Sequence, residues 1–141
     1  MAGYSATPLE KKLGIKPAFD VAFVNAPESF VRQLSLPADV KLKSISKSKD
    51  LDFIQVFVKS RKALTTAFEY SRKIKPNGML WISWPKKTSG VATDVNENIL
   101  RETGLAAGLV DVKICAVDEI WSGLKFVYRL KDRPKMKPTP K

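Results

Sequence analysis

Lys86 and Lys87 are the residues of this chain best placed to do chemistry, and that chemistry is the holding of an anion. They follow Trp84-Pro85 at the end of an apolar run and precede a polar stretch with Ser89 and Thr93. Lysine ammonium groups act as point charges toward phosphate or carboxylate. Trp84 and Trp121 offer flat apolar surface with an indole N–H donor. The hydroxyls of Ser89, Thr93 and Ser122 add donors and acceptors, and Asn25 and Asp118 complete the set of candidate ligand-binding residues. What is missing narrows the chemistry further. There is no histidine in the 141 residues, which removes the commonest general base, nucleophile-activating partner and metal ligand. Asp118 and Glu119 are adjacent acids on a turn and face different directions, so a paired-carboxylate role is not expected. No catalytic residue and no metal site is assigned.

The elements that must carry these residues follow from periodicity and turn chemistry. Residues 20–24 and 51–58 are apolar enough for strands, and 79–84 run without a polar break, as in a strand covered on both faces. Pro76-Asn77-Gly78 reads as a turn before that strand, with Asn-Gly suited to positive φ. Pro85 cannot donate to a ladder, so the strand ends near Trp84. Residues 40–45 alternate apolar and polar and read as a half-exposed edge strand. Residues 109–117 and 124–130 are two further strands around a turn at 118–123, the second running antiparallel.

Helix signals lie between the strands. Thr7, Pro8 and Glu10 look like an N-cap, a first helical position and a capping-box return, with Gly14 just past the end. Pro27 opens a helix after the first strand. Ser60 caps a helix with Ala63, Leu64, Ala67 and Phe68 on one face. Asp94 to Glu97 reads as a capping box, and the helix it opens sets Val95, Ile99, Leu100, Thr103, Ala106 and Ala107 toward the sheet. Gly104 suits close approach to a strand, and Gly108 suits the helix end.

Bulk properties bound the rest. A 141-residue chain is one domain by length and large enough for a core without disulfides or metals. Cys115 is the single cysteine and reads as a small buried hydrophobe in a strand. The start of the sequence shows no apolar signal segment, and no stretch approaches the roughly 20 apolar residues of a membrane span. The expected location is the cytoplasm. The net charge is +11, and the segment 129–141 carries six basic residues and one acid. A single α/β domain over 1–130 and a disordered basic tail over 131–141 are the expected organisation.

In open α/β sheets ligands gather past the carboxyl ends of the strands. Three loops meet that description: Asn25-Ala26-Pro27, residues 84–94 and residues 118–123. A nucleotide-binding Rossmann unit runs its first strand into a Gly-rich turn. Here the turn is Val24-Asn25-Ala26-Pro27, which has no glycine.

The segments Leu51-Asp52-Phe53-Ile54, Ile74-Lys75-Pro76-Asn77-Gly78-Met79-Leu80 and Thr103-Gly104-Leu105-Ala106-Ala107-Gly108-Leu109 resemble the carboxyl half of class I S-adenosylmethionine methyltransferases. The order strand, helix, strand, helix, strand, turn, strand over roughly 51–130 is similar as well. The resemblance implies a three-layer Rossmann-like α/β sandwich, mostly parallel with a C-terminal antiparallel strand. It also implies a cofactor pocket lost or rebuilt, because the glycine loop and the acid expected after the second strand are missing. The segments Leu13 to Pro17, Trp84 to Asp94 and Cys115 to Leu124 are in addition similar to a small bacterial family of unknown function, which implies no activity.

The expectation is a non-catalytic binding or regulatory module without a cofactor. It uses the carboxyl edge for an anionic ligand or a protein partner. A methyltransferase-like enzyme is the first alternative, with S-adenosylmethionine disfavoured by the missing glycines. Nucleic-acid binding through the basic tail and a helix bearing Arg61, Lys62, Arg72 and Lys73 is the second.

Overall fold

In the computed structural model of this chain, residues 7–136 are described. Helix α1 (Leu9–Leu13) ends where Gly14 takes a φ of 88° and returns its N–H to the carbonyls of Glu10 and Lys11. It leads into β1 (Asp20–Val24), α2 (Glu28–Arg32) and β2 (Lys41–Leu42). Next come β3 (Leu51–Phe57), α3 (Leu64–Glu69) flanked by 3-10 turns, and β4 (Ile74–Pro85). Helix α4 (Glu97–Ala106) and the strands β5 (Leu109–Ala116) and β6 (Trp121–Tyr128) follow. No helix among the described residues is long and apolar enough to cross a membrane.

The strands form one sheet in the order β2-β1-β3-β4-β6-β5. β2, β1, β3 and β4 are parallel, and β6 runs antiparallel to both β4 and β5. This is the expected Rossmann-like sandwich, and side-chain alternation along β3 and β4 builds its two cores. Phe53, Phe57, Met79 and Trp81 pack with Leu13 and Phe30 under α1 and α2. Ile54, Val56, Leu80, Ile82 and Trp84 pack with Leu64, Phe68 and Leu100 under α3 and α4. β4 from Met79 to Trp84 is buried on both faces, as its unbroken apolar run requires. Trp81 is fully buried and its indole N–H donates to the Leu13 carbonyl at 3.0 Å, which fastens α1 to the sheet.

Several local expectations are corrected. Pro76-Asn77-Gly78 is not a turn ahead of β4 but an irregularity inside it, where the register jumps from Leu51↔Ile74 to Phe53↔Met79. Neither Asn77 nor Gly78 has positive φ. Glycine is needed at 78 for space, because a Cβ there would stand 2.9 Å from the Leu51 carbonyl oxygen. Asn96, not Asp94, caps α4, accepting from the Ile99 N–H at 2.9 Å. Asp94 instead accepts from the Arg61 N–H at 2.8 Å. Pro8 and Pro27 stand one place before their helices, with extended ψ of 148° and 147°. The Glu10 carboxylate is buried and accepts from the Ser35 N–H at 3.1 Å, which ties α1 to the segment after α2.

Ala106 and Ala107 are exposed, because α4 turns Leu100 and Gly104 to the sheet. The expected edge strand over 40–45 pairs only at Lys41–Leu42. Leu130–Met136, expected to be disordered from 131, is wound as a 3-10 helix. Arg129 pairs with Asp132 at 2.8 Å and Arg133 donates to the Tyr128 carbonyl at 3.1 Å. The remainder of the basic tail, 137–141, lies outside the described residues.

Gly104 carries the α4–sheet contact. A Cβ there would meet Phe126 Cε1 at 2.3 Å, and Phe126 is itself fully buried and stacked edge-on against Phe68. Gly104→Ala is expected to destabilise the fold by about 1–3 kcal/mol through overpacking. Leu105→Ala, at an exposed neighbour, is expected to leave the urea midpoint nearly unchanged. Equal midpoints for the two variants would contradict the close approach.

Candidate functional site

Parallel pairing sets the carboxyl ends of β1, β3 and β4 on one edge, and β5 ends and β6 begins there too. Each loop on this edge is held by its own hydrogen bonds. Lys86 follows β4, and its N–H donates to the Ile120 carbonyl at 2.7 Å, joining the 86–93 loop to the β5–β6 turn. The Ser89 hydroxyl donates to the Lys86 carbonyl at 2.7 Å and accepts from the Val91 N–H at 3.1 Å. The Thr93 hydroxyl donates to the Lys59 carbonyl at 2.7 Å and accepts from the Val95 N–H at 3.1 Å. One Asp118 carboxylate oxygen accepts from the N–H groups of both Ile120 and Trp121 at 2.8 Å. These three side chains therefore build the loops.

The other candidates divide by burial. Trp84 and Trp121 belong to the cores, Trp121 packing edge-on against Phe57 with ring centroids 5.0 Å apart. Ser122 is half-buried opposite Trp84 and Ala116 in the sheet. Asn25 is exposed with a φ of 58°, the left-handed residue of the turn after β1. Lys87 is exposed and Lys86 half-buried. Lys86, Asp118 and Trp121 are brought together through the joined loops. Asn25 lies two strands from Lys86 in the sheet order, about 10 Å at normal strand spacing.

Arg61 and Lys62 stand at the start of α3, while Arg72 and Lys73 stand past its end. The two pairs are separated by the whole length of the helical segment, so they do not form one compact basic face. The Lys73 ammonium donates to the Ser48 carbonyl at 3.2 Å.

Two features escape a reading of the sequence. One is a cavity of about 600 Å³ beside the edge, lined by Leu9, Lys12, Ser29, Gln33, Asp118 and Ile120 among others. Its walls come from α1, α2 and the β5–β6 turn, so only the tertiary fold assembles it. The other is a group of lysines on the α1 face of β5 and β6. Lys113 pairs across the strands with Lys125, and the Lys113 ammonium donates to the Lys12 carbonyl at 2.8 Å. A register shift between Asp111 and Lys113 sets this pairing, and sequence parity does not reveal a bulge.

Burial and neighbouring charge act together on this group. Lys125 is held below its ordinary value of 10.5, by partial burial first and then by Lys113 and Lys16. Burial raises the Cys115 thiol, against the opposing pull of Lys12, Lys113 and Lys86.

No family model matches the chain, and no curated protein matches it. Solved structures do. A ribosomal protein L11 methylase from Lactobacillus delbrueckii subsp. bulgaricus aligns with a TM-score of 0.53 at 12% identity, over 86% of this chain and 75% of that one. Magnesium protoporphyrin IX methyltransferase from Synechocystis PCC 6803, with bound SAM, aligns at 0.54 and 9% identity, over 86% and 74%. A complex of DhpI with SAH aligns at 0.56 and 11% identity, over 95% and 83%. This chain has a methyltransferase-like fold. At such identities the likeness reaches the sheet and its connections.

Lys125 supplies a test of the electrostatics. Between its lowered folded value and 10.5 the folded chain has released the proton that the unfolded chain still holds. The unfolded state binds more protons there, so stability rises with pH across that window. Lys125→Met removes this contribution. The variant's stability relative to the parent, read from urea melts, is expected to fall as pH climbs from neutral to 10.5. A pH-independent difference would contradict the reading.

Proposed function

We propose that this chain is a methyltransferase-like protein that takes an S-adenosyl ligand at the carboxyl edge of its sheet. The observation that carries the reading is the mostly parallel sheet with its antiparallel close, a fold that aligns with methyltransferases, among them structures that hold SAM or SAH. The turn after β1 adds support. Asn25 adopts a φ of 58°, the conformation for which glycine is usually chosen. The turn thus fits such a ligand in backbone shape. It fits less well in side chains: Ala26 and Pro27 replace glycine, and the run after β2 from Lys43 to Lys49 has no acid to accept the ribose hydroxyls. No reaction step is assigned on this basis.

A second reading has its own support. Ser89, Thr93 and Asp118 are used inside the loops, while Lys87 and Asn25 are exposed and Lys86 half-buried beside the exposed Thr88 and Glu119. That is the equipment of a non-catalytic module for an anionic ligand or partner.

Titration calorimetry separates the two. Saturable heat with S-adenosylmethionine or S-adenosylhomocysteine below millimolar concentration, a binding free energy beyond about −4 kcal/mol, is the expected result. Asn25→Gly is expected to preserve binding, because glycine accepts the same φ. Asn25→Val is expected to weaken it, since a β-branched residue resists positive φ. No heat at millimolar ligand with the folded protein would overturn the first reading and leave the second.

A further inference from the structure

We propose that the lysines on the α1 face of β5 and β6 form a docking surface for the phosphate backbone of a duplex nucleic acid. The surface is formed by Lys12 on α1, Lys16 in the segment after it, Lys113 on β5, Lys125 on β6 and Lys86 at the adjoining loop. The inference is independent of the cofactor reading and uses neither the α3 segment nor the tail.

Four observations converge on it. The first is proximity fixed by the fold. Lys113 stands opposite Lys125 in the ladder and hydrogen-bonds the Lys12 carbonyl at 2.8 Å, so α1 and β5 hold their lysines together. The charge of Lys16 acts with that of Lys113 on Lys125, and the charges of Lys12, Lys113 and Lys86 all act on the Cys115 thiol. The second is the missing counter-charge. Among the described residues none of these five lysines has a carboxylate within 4.0 Å, whereas Lys75, Arg32, Arg101 and Arg129 are all paired. Glu10, on the same helix, is turned inward to the Ser35 N–H. Asp118 and Glu119 line the neighbouring cavity with Lys12, and neither reaches a lysine nitrogen within that distance.

The third observation is energetic. Burial first, and then the charges of Lys113 and Lys16, disfavour the protonated form of Lys125. Such an arrangement costs stability in the free protein and is relieved by a polyanion. The fourth chooses the occupant. Single-strand binders stack bases on exposed aromatic rings. No aromatic side chain among those described here is exposed, and Trp81 and Trp121 on this face lie in the core. Lysine ammoniums without a stacking platform suit phosphates and leave the bases unread. The net charge of +11 suits the same partner.

The test uses the full chain and a short fluorescein-labelled duplex, with anisotropy read across a sodium chloride series. Binding is expected to weaken steeply with salt. Each lysine–phosphate contact contributes about 0.9 to the slope of log affinity on log salt. Lys16→Gln, Lys113→Gln and Lys125→Gln together are therefore expected to lower the slope by about 2.7. Thermal melts verify that this triple variant is folded, and Lys86→Ala, at a loop position, gives a second reading with a loss of about 0.9. A chain with Arg61, Lys62, Arg72 and Lys73 replaced by Ala, and a chain ending at residue 136, are expected to keep the parent slope.

Four outcomes would overturn the proposal. They are absence of salt-dependent binding, an unchanged slope in the folded triple variant, loss of binding on removing only 137–141, and equal affinity for poly-glutamate. The last would assign the surface to an acidic protein.

Discussion

The burial of Trp81 at the centre of β4 sets the terms for the rest of the structure. An indole is a large apolar body with one polar atom, and its enclosure is favourable only if that N–H finds an acceptor. The acceptor is the Leu13 carbonyl, at the end of a five-residue helix far away in the chain. A helix so short has little stability of its own, so α1 persists through this bond, through Leu13 and Ile15 in the core and through the Glu10 carboxylate on Ser35. The cavity and the lysine surface both lean on α1, and so both depend on that tryptophan.

β4 also fixes the two ends of the sheet. At its start, three residues more than the partner strand has are absorbed against Leu51, and only glycine fits at 78. At its end Pro85 stops the ladder, and the next N–H, that of Lys86, is given to the β5–β6 turn. Proline thereby converts a strand end into a tie between two loops. Between these ends lies one unusual pair. Gln55 donates to Ser83 at 2.7 Å in a fully buried position, and its carbonyl oxygen has no partner in the described structure. A buried acceptor without a donor costs roughly 1–3 kcal/mol, which the surrounding aromatic packing of Phe53, Phe57 and Trp81 must offset.

The fold was legible in the sequence wherever burial alone decided the outcome. β1, β3 and β4 were read from apolar runs, Gly14 and Gly108 from their positions at helix ends, and Gly104 from its place opposite a strand. Misreadings fell where a polar residue had a choice of partners. Asp94 and Asn96 are both competent caps, and the tertiary position of Arg61 decided between them. Pro76-Asn77-Gly78 has turn chemistry, but a partner carbonyl at close range decided what its glycine was for. The candidate site followed the same rule. Ser89, Thr93 and Asp118 were recognisable as hydrogen-bonding residues in loops, and the backbone groups of those loops claim them. A sequence shows a side chain's capacity to bond, and the fold decides whether a ligand or the chain itself uses it.

Lys125 belongs to that argument from the opposite side. A central antiparallel strand with one face against a core normally alternates apolar and polar residues, and Leu124, Phe126 and Tyr128 do face α3 and α4. The other face is only partly roofed, since α1 has five residues and cannot cover β4, β6 and β5 together. A longer helix would have required an apolar side chain at 125. The short one leaves room for an ammonium on a long stem, which buries its methylenes and keeps its charge near water. The same shortness brings Lys12 and Lys16 to the strands instead of a second apolar turn. The charge concentrated on this face is thus a geometric consequence of how little helix the chain spends there, and no carboxylate among the described residues pairs with it.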